Sequence, residues 1–273
     1  MNPTVSTDSV NCMGSGYVPV QSIAMNRGYA AFDFLKVVDR RPVFAERHVQ
    51  RFYRTMSMLR LVIPQEEQGV LSWIAQRAAE GEQATFGLKL FAVPAASVEA
   101  EVMESELHVV PVPLPAYPER LYTHGGTLLT FEYQRFLPEA KSTHYLPSIY
   151  WEPEVRRQGA LEPLFHFAGN ALETSRSNIF ACIDGQVVTP GTGVLHGVTR
   201  SVVLEELRRA GIAPEERTLS MRELAMAQEV WVTSTTKGVA PITRIDGQRI
   251  SDGQVGPLCR QLMQAYAERV RQG

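Results

Sequence analysis

At 273 residues, with 44% hydrophobic and 21% charged residues, the chain can bury a substantial core in two lobes and has an ordinary globular composition. A formal net charge of -2 and a pI near 6.3 leave no basic excess to neutralise a phosphate backbone, which argues against a nucleic-acid partner and requires any bound anion to be held locally. Three widely spaced cysteines, Cys12, Cys182 and Cys259, fit neither a disulfide framework nor a zinc site, and read as free thiols with no metal implied.

The first dozen residues, rich in Ser, Thr and Asn, read as a loose arm, with ordered structure beginning near Tyr17. They lack the cationic and apolar stretches of a secretion signal, and no later run reaches membrane-spanning length, so a cytoplasmic protein is expected. Phe34 to Val38 reads as a strand, turned by Asp39-Arg40-Arg41-Pro42 into a second at Val43-Phe44. Apolar residues at helical spacing, Val49, Phe52, Met56 and Leu59, predict a helix from Glu46 to about Leu61, and Pro64 opens another through Val70, Ile74 and Ala78. Thr85 to Val93 and Glu106 to Val112 read as strands of one sheet, and the four prolines between Pro111 and Pro118 are expected to end it.

That proline-rich stretch is the expected boundary: an N-terminal domain over 1–116, a linker at 117–120 and a C-terminal domain over 121–273. Beyond it, Leu121 to Phe131, Pro163 to Phe167, Asn178 to Ile183, Gln186 to Val188 and Glu229 to Thr233 read as strands, with Asp184-Gly185 as a two-residue hairpin turn. Helices are predicted from Thr199 to Ala210, with Val202, Leu204 and Leu207 facing the core, and from Pro257 to Val270. The layout is α+β, without regular βαβ alternation and without a glycine-rich nucleotide fingerprint.

One lysine, Lys141, stands in Glu139-Ala140-Lys141-Ser142-Thr143-His144-Tyr145-Leu146, and by itself it reads as a solvated side chain. Its company downstream changes that reading. Ala171-Leu172-Glu173-Thr174-Ser175-Arg176-Ser177-Asn178-Ile179-Phe180, then Leu195-His196-Gly197-Val198-Thr199-Arg200, then Thr233-Ser234-Thr235-Thr236-Lys237-Gly238-Val239-Ala240-Pro241 follow in order. Together with Lys141 they resemble the class IV, fold-type IV aminotransferases that depend on pyridoxal phosphate, a family that includes D-amino-acid and branched-chain aminotransferases and aminodeoxychorismate lyase.

The resemblance implies a smaller N-terminal α/β lobe, a larger C-terminal lobe with a pseudo-barrel, pyridoxal 5'-phosphate as cofactor and a homodimer. It assigns Lys141 as the Schiff-base lysine, Tyr145 to the cofactor's phenolic oxygen, Glu173 to the pyridine nitrogen and Leu195 to the ring face. His144 replaces the usual Asn of the family's Lys-x-x-Asn-Tyr-Leu pattern. The phosphate falls to Gly197, Val198 and Thr199 ahead of a helix, where free amides and the dipole favour an anion, with Thr199 expected as the N-cap. Ser234, Thr235 and Thr236 add hydroxyls and amides, and Arg51 resembles the arginine that reaches the phosphate from the first lobe.

The substrate side departs from the family. Arg27-Gly28-Tyr29-Ala30-Ala31-Phe32-Asp33-Phe34 lacks the usual Gly-Asp-Gly, and Phe91-Ala92-Val93-Pro94-Ala95 lacks the Arg-x-His carboxylate trap of typical D-amino-acid aminotransferases. An arginine stands instead at Arg176, where the family has a small residue. Arg176 with Arg27 is therefore expected to clamp the substrate carboxylate, with Phe32 and Thr236 also on the substrate side. The leading expectation is transamination of a D-amino acid with a 2-keto acid. Branched-chain L-amino-acid transamination and aminodeoxychorismate lyase chemistry remain open, as does a non-catalytic binding protein on the same fold.

Overall fold

The computed structural model describes residues 18–94 and 101–272, so the N-terminal arm, Cys12 and Ala95 lie outside the described residues. The chain divides into two compact units, Met1–Leu114 and Pro115–Gly273.

In the first unit a short helix α1 (Ile23–Arg27) precedes the strands β1 (Ala31–Val38) and β2 (Arg41–Pro42). Helix α2 (Ala45–Met58), β3 (Leu61–Val62), helix α3 (Glu67–Glu80), β4 (Phe86–Pro94) and β5 (Met103–Val112) complete it. The five strands lie in the order β2-β1-β4-β5-β3, with β1 antiparallel to β4 and β4 antiparallel to β5. Alternate β1 residues Ala31, Asp33, Leu35 and Val37 are buried, the period-two pattern of a sheet with one covered face. Helix α2 buries Val49, Phe52 and Met56, as the helical spacing predicts.

Two expectations need correction here. The hairpin's second strand is Arg41–Pro42, while Val43 donates its amide to Lys36 O at 2.8 Å and Phe44 already caps α2. The second helix starts at Glu67, a full turn of residues after Pro64. Strand β5 ends at Val112 as expected and starts earlier, at Met103; it accommodates Pro111, opposite Leu88, because β3 covers only Met103 and Glu104 and leaves this stretch an edge that proline tolerates.

The second unit contains α4 (Glu119–His124), β6 (Gly126–Glu132), α5 (Leu146–Arg157), β7 (Glu162–Phe167), β8 (Asn170–Thr174), β9 (Asn178–Ile183) and β10 (Gln186–Thr189). Then come α6 (Val198–Arg209), β11 (Glu215–Glu216), β12 (Leu219–Ser220), α7 (Met221–Ala225), β13 (Glu229–Ser234), β14 (Gly238–Ile245), β15 (Gln248–Arg249) and α8 (Pro257–Gln272). The main path β9-β13-β14-β6-β7-β8 is closed by a further β8–β9 pairing at Glu173 and Asn178, which makes a barrel and removes its open edges. Leu128, Leu164, Ile179, Val232, Ala240 and Ile242 pack together in its core. Each such buried Leu, Ile or Val side chain contributes roughly 1.5–3 kcal/mol. The opposite side of β9 and β13 carries Phe180 and Trp231, stacked at 5.6 Å.

The region read as one strand from Leu121 to Phe131 is a helix, α4, followed by β6, and Gly125 at φ 80° makes the break between them. Helix α5 has no counterpart among the predicted elements, since Pro147 and Pro153 punctuate it and only Val155 is buried, so it has no apolar stripe to read. Strand β14 is hidden in the sequence by Pro241, which lies one residue before β6 begins to pair at Ile242. The Asp184-Gly185 turn has both residues at positive φ, 48° and 80°, as a primed hairpin turn requires. In α6, Val202, Leu204 and Leu207 are buried as expected.

Candidate active site

The closing pair of the barrel supplies the centre of the site. Glu173, near the end of β8, lies opposite Asn178, the first residue of β9, and both are buried. Glu173 Oε2 accepts the amide of Leu195 at 3.0 Å and a longer bond from Asn178 Nδ2 at 3.4 Å. Its other oxygen lies 3.7 Å from Arg135 Nη1. Burial raises the Glu173 carboxyl above its ordinary range, and the opposing pull of Arg135, the Leu195 amide and Lys141 does not cancel that rise. A buried carboxyl whose charge is under-compensated is suited to a further cationic or N–H partner.

Lys141 lies in the connection between β6 and α5, half-buried, and its charge acts on Glu173. Arg135 fixes this connection, because its Nη2 donates to Ala140 O at 3.1 Å and Ser142 Oγ at 3.4 Å, the two residues flanking Lys141. Tyr145 joins the same field. Burial of its phenol raises the hydroxyl, and the charges of Arg135, Glu173, Arg176 and Glu162 all act on it. Sequence reasoning misses Arg135, since an arginine six residues before a lysine carries no local signal.

Asn178 also connects the centre to the glycine loop. Its Nδ2 donates to Leu195 O at 2.7 Å, and its Oδ1 occupies the space a Cβ on Gly197 would need, which explains glycine there. Gly197, at φ −66°, is the N-cap of α6 and receives no side-chain cap bond. This corrects the expected cap at Thr199, which is the second helical residue and turns its hydroxyl to Tyr266 OH at 3.3 Å. The start of α6 thus presents backbone amides and the positive end of a twelve-residue helix.

The turn from β13 into β14 carries Ser234, Thr235 and Thr236. Ser234 Oγ lies 3.5 Å from Thr236 Oγ1, and Tyr117 OH lies 3.2 Å from the same Thr236 oxygen. Thr233, paired with Asn178 in the β13–β9 ladder, has a buried hydroxyl with no partner among the described residues. Gly238 follows at φ 65°, a conformation that glycine adopts without strain. Two features therefore fit an anionic ring cofactor: an under-compensated carboxyl beside a lysine, and an uncapped helix start with a glycine that admits no side chain.

Arg176 projects from the β8–β9 turn, exposed, and makes no ion pair among the described residues. The first unit holds the other three expected residues. Arg27 lies at the end of α1 and is exposed, and Phe32 stacks on Phe91 at 6.1 Å. Arg51 is buried with Nε and Nη2 donating to Asp33 at 2.9 and 2.8 Å. A cavity of about 430 Å³ in the second unit, lined by Gln134, Pro138, Phe167, Asn170, Leu172 and Gly193, contains none of the proposed site side chains. It meets β8 at Asn170, Ala171 and Leu172, and Glu173 does not line it. Among the described residues no cluster of three or more His, Cys, Asp or Glu is placed to hold a metal, and no helix is long and apolar enough to cross a membrane.

Comparison with known proteins agrees with this architecture. A D-alanine aminotransferase from Listeria monocytogenes serotype 1/2a is 28% identical over 264 residues, covering 90% of this chain and 89% of that protein. The branched-chain aminotransferase of the thermophilic archaeon Thermoproteus uzoniensis, solved with norvaline, superposes with a TM-score of 0.84 at 23% identity, over 93% of this chain and 89% of that one. A T.th. branched-chain amino acid aminotransferase complexed with N-(5'-phosphopyridoxyl)-L-glutamate gives a TM-score of 0.82 at 25% identity, over 93% and 89%. The amino-transferase class IV family matches residues 30–245, most of both units, and the chain belongs to that family of pyridoxal-phosphate-dependent aminotransferases of fold type IV.

Proposed function

We propose that this aminotransferase moves the amino group of a D-amino acid, such as D-alanine or D-glutamate, to a 2-keto acid such as pyruvate or 2-oxoglutarate. One observation carries the assignment of roles: Arg135 stands 3.7 Å from the buried Glu173 carboxylate and bonds both residues that flank Lys141, which ties the lysine's loop to that carboxylate. Bound pyridoxal phosphate supplies an electron sink for bond breaking at the substrate Cα. Lys141 would hold the cofactor through its amine and, with the amino donor in its place, would carry the proton between the substrate Cα and the cofactor's C4′. Glu173, fixed by the Leu195 amide, holds a proton on the ring nitrogen. Leu195 covers the ring face, and Tyr145 meets the phenolic oxygen. The Val198 and Thr199 amides beside Gly197, with Ser234, Thr235 and Thr236, hold the phosphate.

The D-amino donor is supported by the likeness to the Listeria D-alanine aminotransferase, while Arg176, an exposed cation with no ion pair among the described residues, is available to the α-carboxylate of an amino acid of either hand. Branched-chain L-amino acids are the second reading, favoured by the likeness to the T.th. enzyme. A homodimer is the proposed assembly, supported by four exposed apolar side chains close in sequence, Phe136 83%, Leu146 70%, Ile149 68% and Tyr150 75%. Sedimentation of the purified protein checks it.

Borohydride reduction of the yellow holoenzyme is expected to fix the cofactor on Lys141, read by peptide mass spectrometry. An adduct on any other lysine removes Lys141 from its role. A panel of D- and L-amino donors with several keto acids, run beside a pyruvate-release assay on aminodeoxychorismate, decides the substrate. Turnover confined to L-donors, or pyruvate release alone, overturns the D-amino-acid reading.

A further inference from the structure

Glu162 and Lys237 form a fully enclosed ion pair, Nζ to Oε1 at 2.6 Å, which the roles above do not use. The lysine side chain is 0% exposed and the glutamate 7%. Taking both charges out of water carries a large desolvation cost, recovered only when every lone pair and proton has a partner. Here they do. Glu162 Oε2 accepts the hydroxyls of Thr174 and Ser177, the latter at 2.9 Å, while Lys237 Nζ also stands 5.2 Å above the Tyr117 ring. Burial raises the Glu162 carboxyl, but the charge and bond of Lys237, then the two hydroxyls, outweigh it and hold the carboxyl below its ordinary range.

The donors come from two separate turns. Thr174 and Ser177 bracket the β8–β9 turn, next to Glu173 and around Arg176; Thr174 Oγ1 also receives the Ser177 amide at 2.8 Å. Lys237 ends the β13–β14 turn that carries Thr235 and Thr236, and it is anchored there by its amide to Ser234 Oγ at 3.2 Å and by Tyr122 OH donating to its carbonyl at 3.1 Å. We propose that Glu162 and Lys237 are positioning residues, a buried clasp that locks the turn bearing Glu173 and Arg176 to the turn bearing Thr235 and Thr236. The clasp thereby fixes the distance between the ring-nitrogen partner and the hydroxyls at the other end of the cofactor. This deepens the reading of both turns as cofactor-facing and rests on it.

The test uses Lys237→Met, Glu162→Gln and their double variant, each as full-length apo-protein. Hydrogen exchange is followed by mass spectrometry over 174–178 and 234–238, and pyridoxal phosphate is titrated into each protein. Lys237→Met is expected to speed exchange in both segments although the substitution lies in one, and to weaken cofactor binding about tenfold. Its cofactor absorption band is expected to move in the same direction as that of Glu173→Gln. The double variant leaves no unpaired buried charge, so it folds even where Lys237→Met does not, and as a broken clasp it is expected to lose no more than the worse single variant. Faster exchange confined to 234–238, unchanged cofactor affinity, or additive losses in the double variant overturns the clasp while leaving the site reading intact. Failure of the wild-type apo-protein to take up pyridoxal phosphate overturns both.

Discussion

Each unit buries a carboxylate beside an arginine, and the two are treated in opposite ways. Asp33, on β1 of the first unit, receives Nε and Nη2 of Arg51 at 2.9 and 2.8 Å and faces His48 Nδ1 at 2.8 Å. Burial would raise its carboxyl, but the Arg51 and His48 charges and bonds outweigh burial and hold it far below the usual carboxylate range. Glu173, in the second unit, has one good amide bond, and its arginine stands off at 3.7 Å, so burial wins and the carboxyl rises. The first arrangement is internally complete and stabilises the fold. The second is incomplete in the protein alone and, in the roles proposed above, would be completed by the cofactor; strongly perturbed buried acids of this kind are candidates for functional sites.

The largest expected effect comes from breaking the complete cluster. Asp33→Asn leaves the buried Arg51 guanidinium, which cannot shed its charge, without its carboxylate. Removing one partner of a buried pair costs about 3–5 kcal/mol, so urea denaturation of this variant is expected to show a large fall in the midpoint of the first unit. A midpoint within experimental error of wild type would mean that Arg51 is compensated elsewhere and that the contrast with Glu173 is false.

Glu173→Gln sharpens the contrast from the other side. The amide keeps an acceptor for the Leu195 N–H but carries no charge to desolvate, so apo-protein stability at neutral pH is expected to hold or rise. Catalysis is expected to fall about 10- to 100-fold, because a charge-assisted hydrogen bond of roughly 1.5–3 kcal/mol to the ring nitrogen is lost. The pH dependence follows from the sign of each shift. Glu173 is raised in the folded state, so its protonated form favours folding, and the stability it contributes at low pH is lost as pH rises from the unfolded glutamate value through the folded one. Asp33 is lowered, so its contribution is complete above the unfolded aspartate value and is lost only as pH falls below it. Denaturation midpoints across this range are expected to favour the Glu173→Gln apo-protein increasingly as pH rises. Parallel curves for the two proteins would show that Glu173 ionises in the fold as freely as in the unfolded chain.

What sequence can deliver follows the same division. Period-two burial in β1, helical spacing in α2 and the ordered segments around Lys141, Glu173 and Leu195 are one-dimensional patterns, and they are legible. The partners of those segments are not. Arg135 reaches Glu173 across 38 positions and Lys237 reaches Glu162 across 75, and neither separation leaves a local signal. Helix α5 escapes because two prolines and a nearly uncovered surface erase helical periodicity, and Thr199 reads falsely as a cap because Gly197 begins the helix two residues earlier. Arg51 illustrates the converse. Its identity is read from a motif, while its engagement by Asp33 and His48 depends on the packing of α2 over β1.

The smallest expected effect concerns Arg176, the cation that neither carboxylate centre claims. It is exposed on the β8–β9 turn, its amide reaches Thr174 Oγ1 at 3.4 Å, and its guanidinium makes no ion pair among the described residues. Its charge nevertheless acts on the Tyr145 hydroxyl, which places it in the field of the same site as Glu173 and Lys141. Solvent screens an exposed charge, so its bond to a substrate carboxylate is worth about 1 kcal/mol, roughly fivefold in affinity. Arg176→Ala is therefore expected to raise the KM for amino acids about fivefold while kcat at saturation and cofactor affinity stay near wild type. Simple amines, which have no carboxylate to lose, are expected to react equally well with both proteins. If amines and amino acids weaken together, Arg176 shapes the loop rather than the carboxylate contact. If neither changes, the carboxylate is met by another residue.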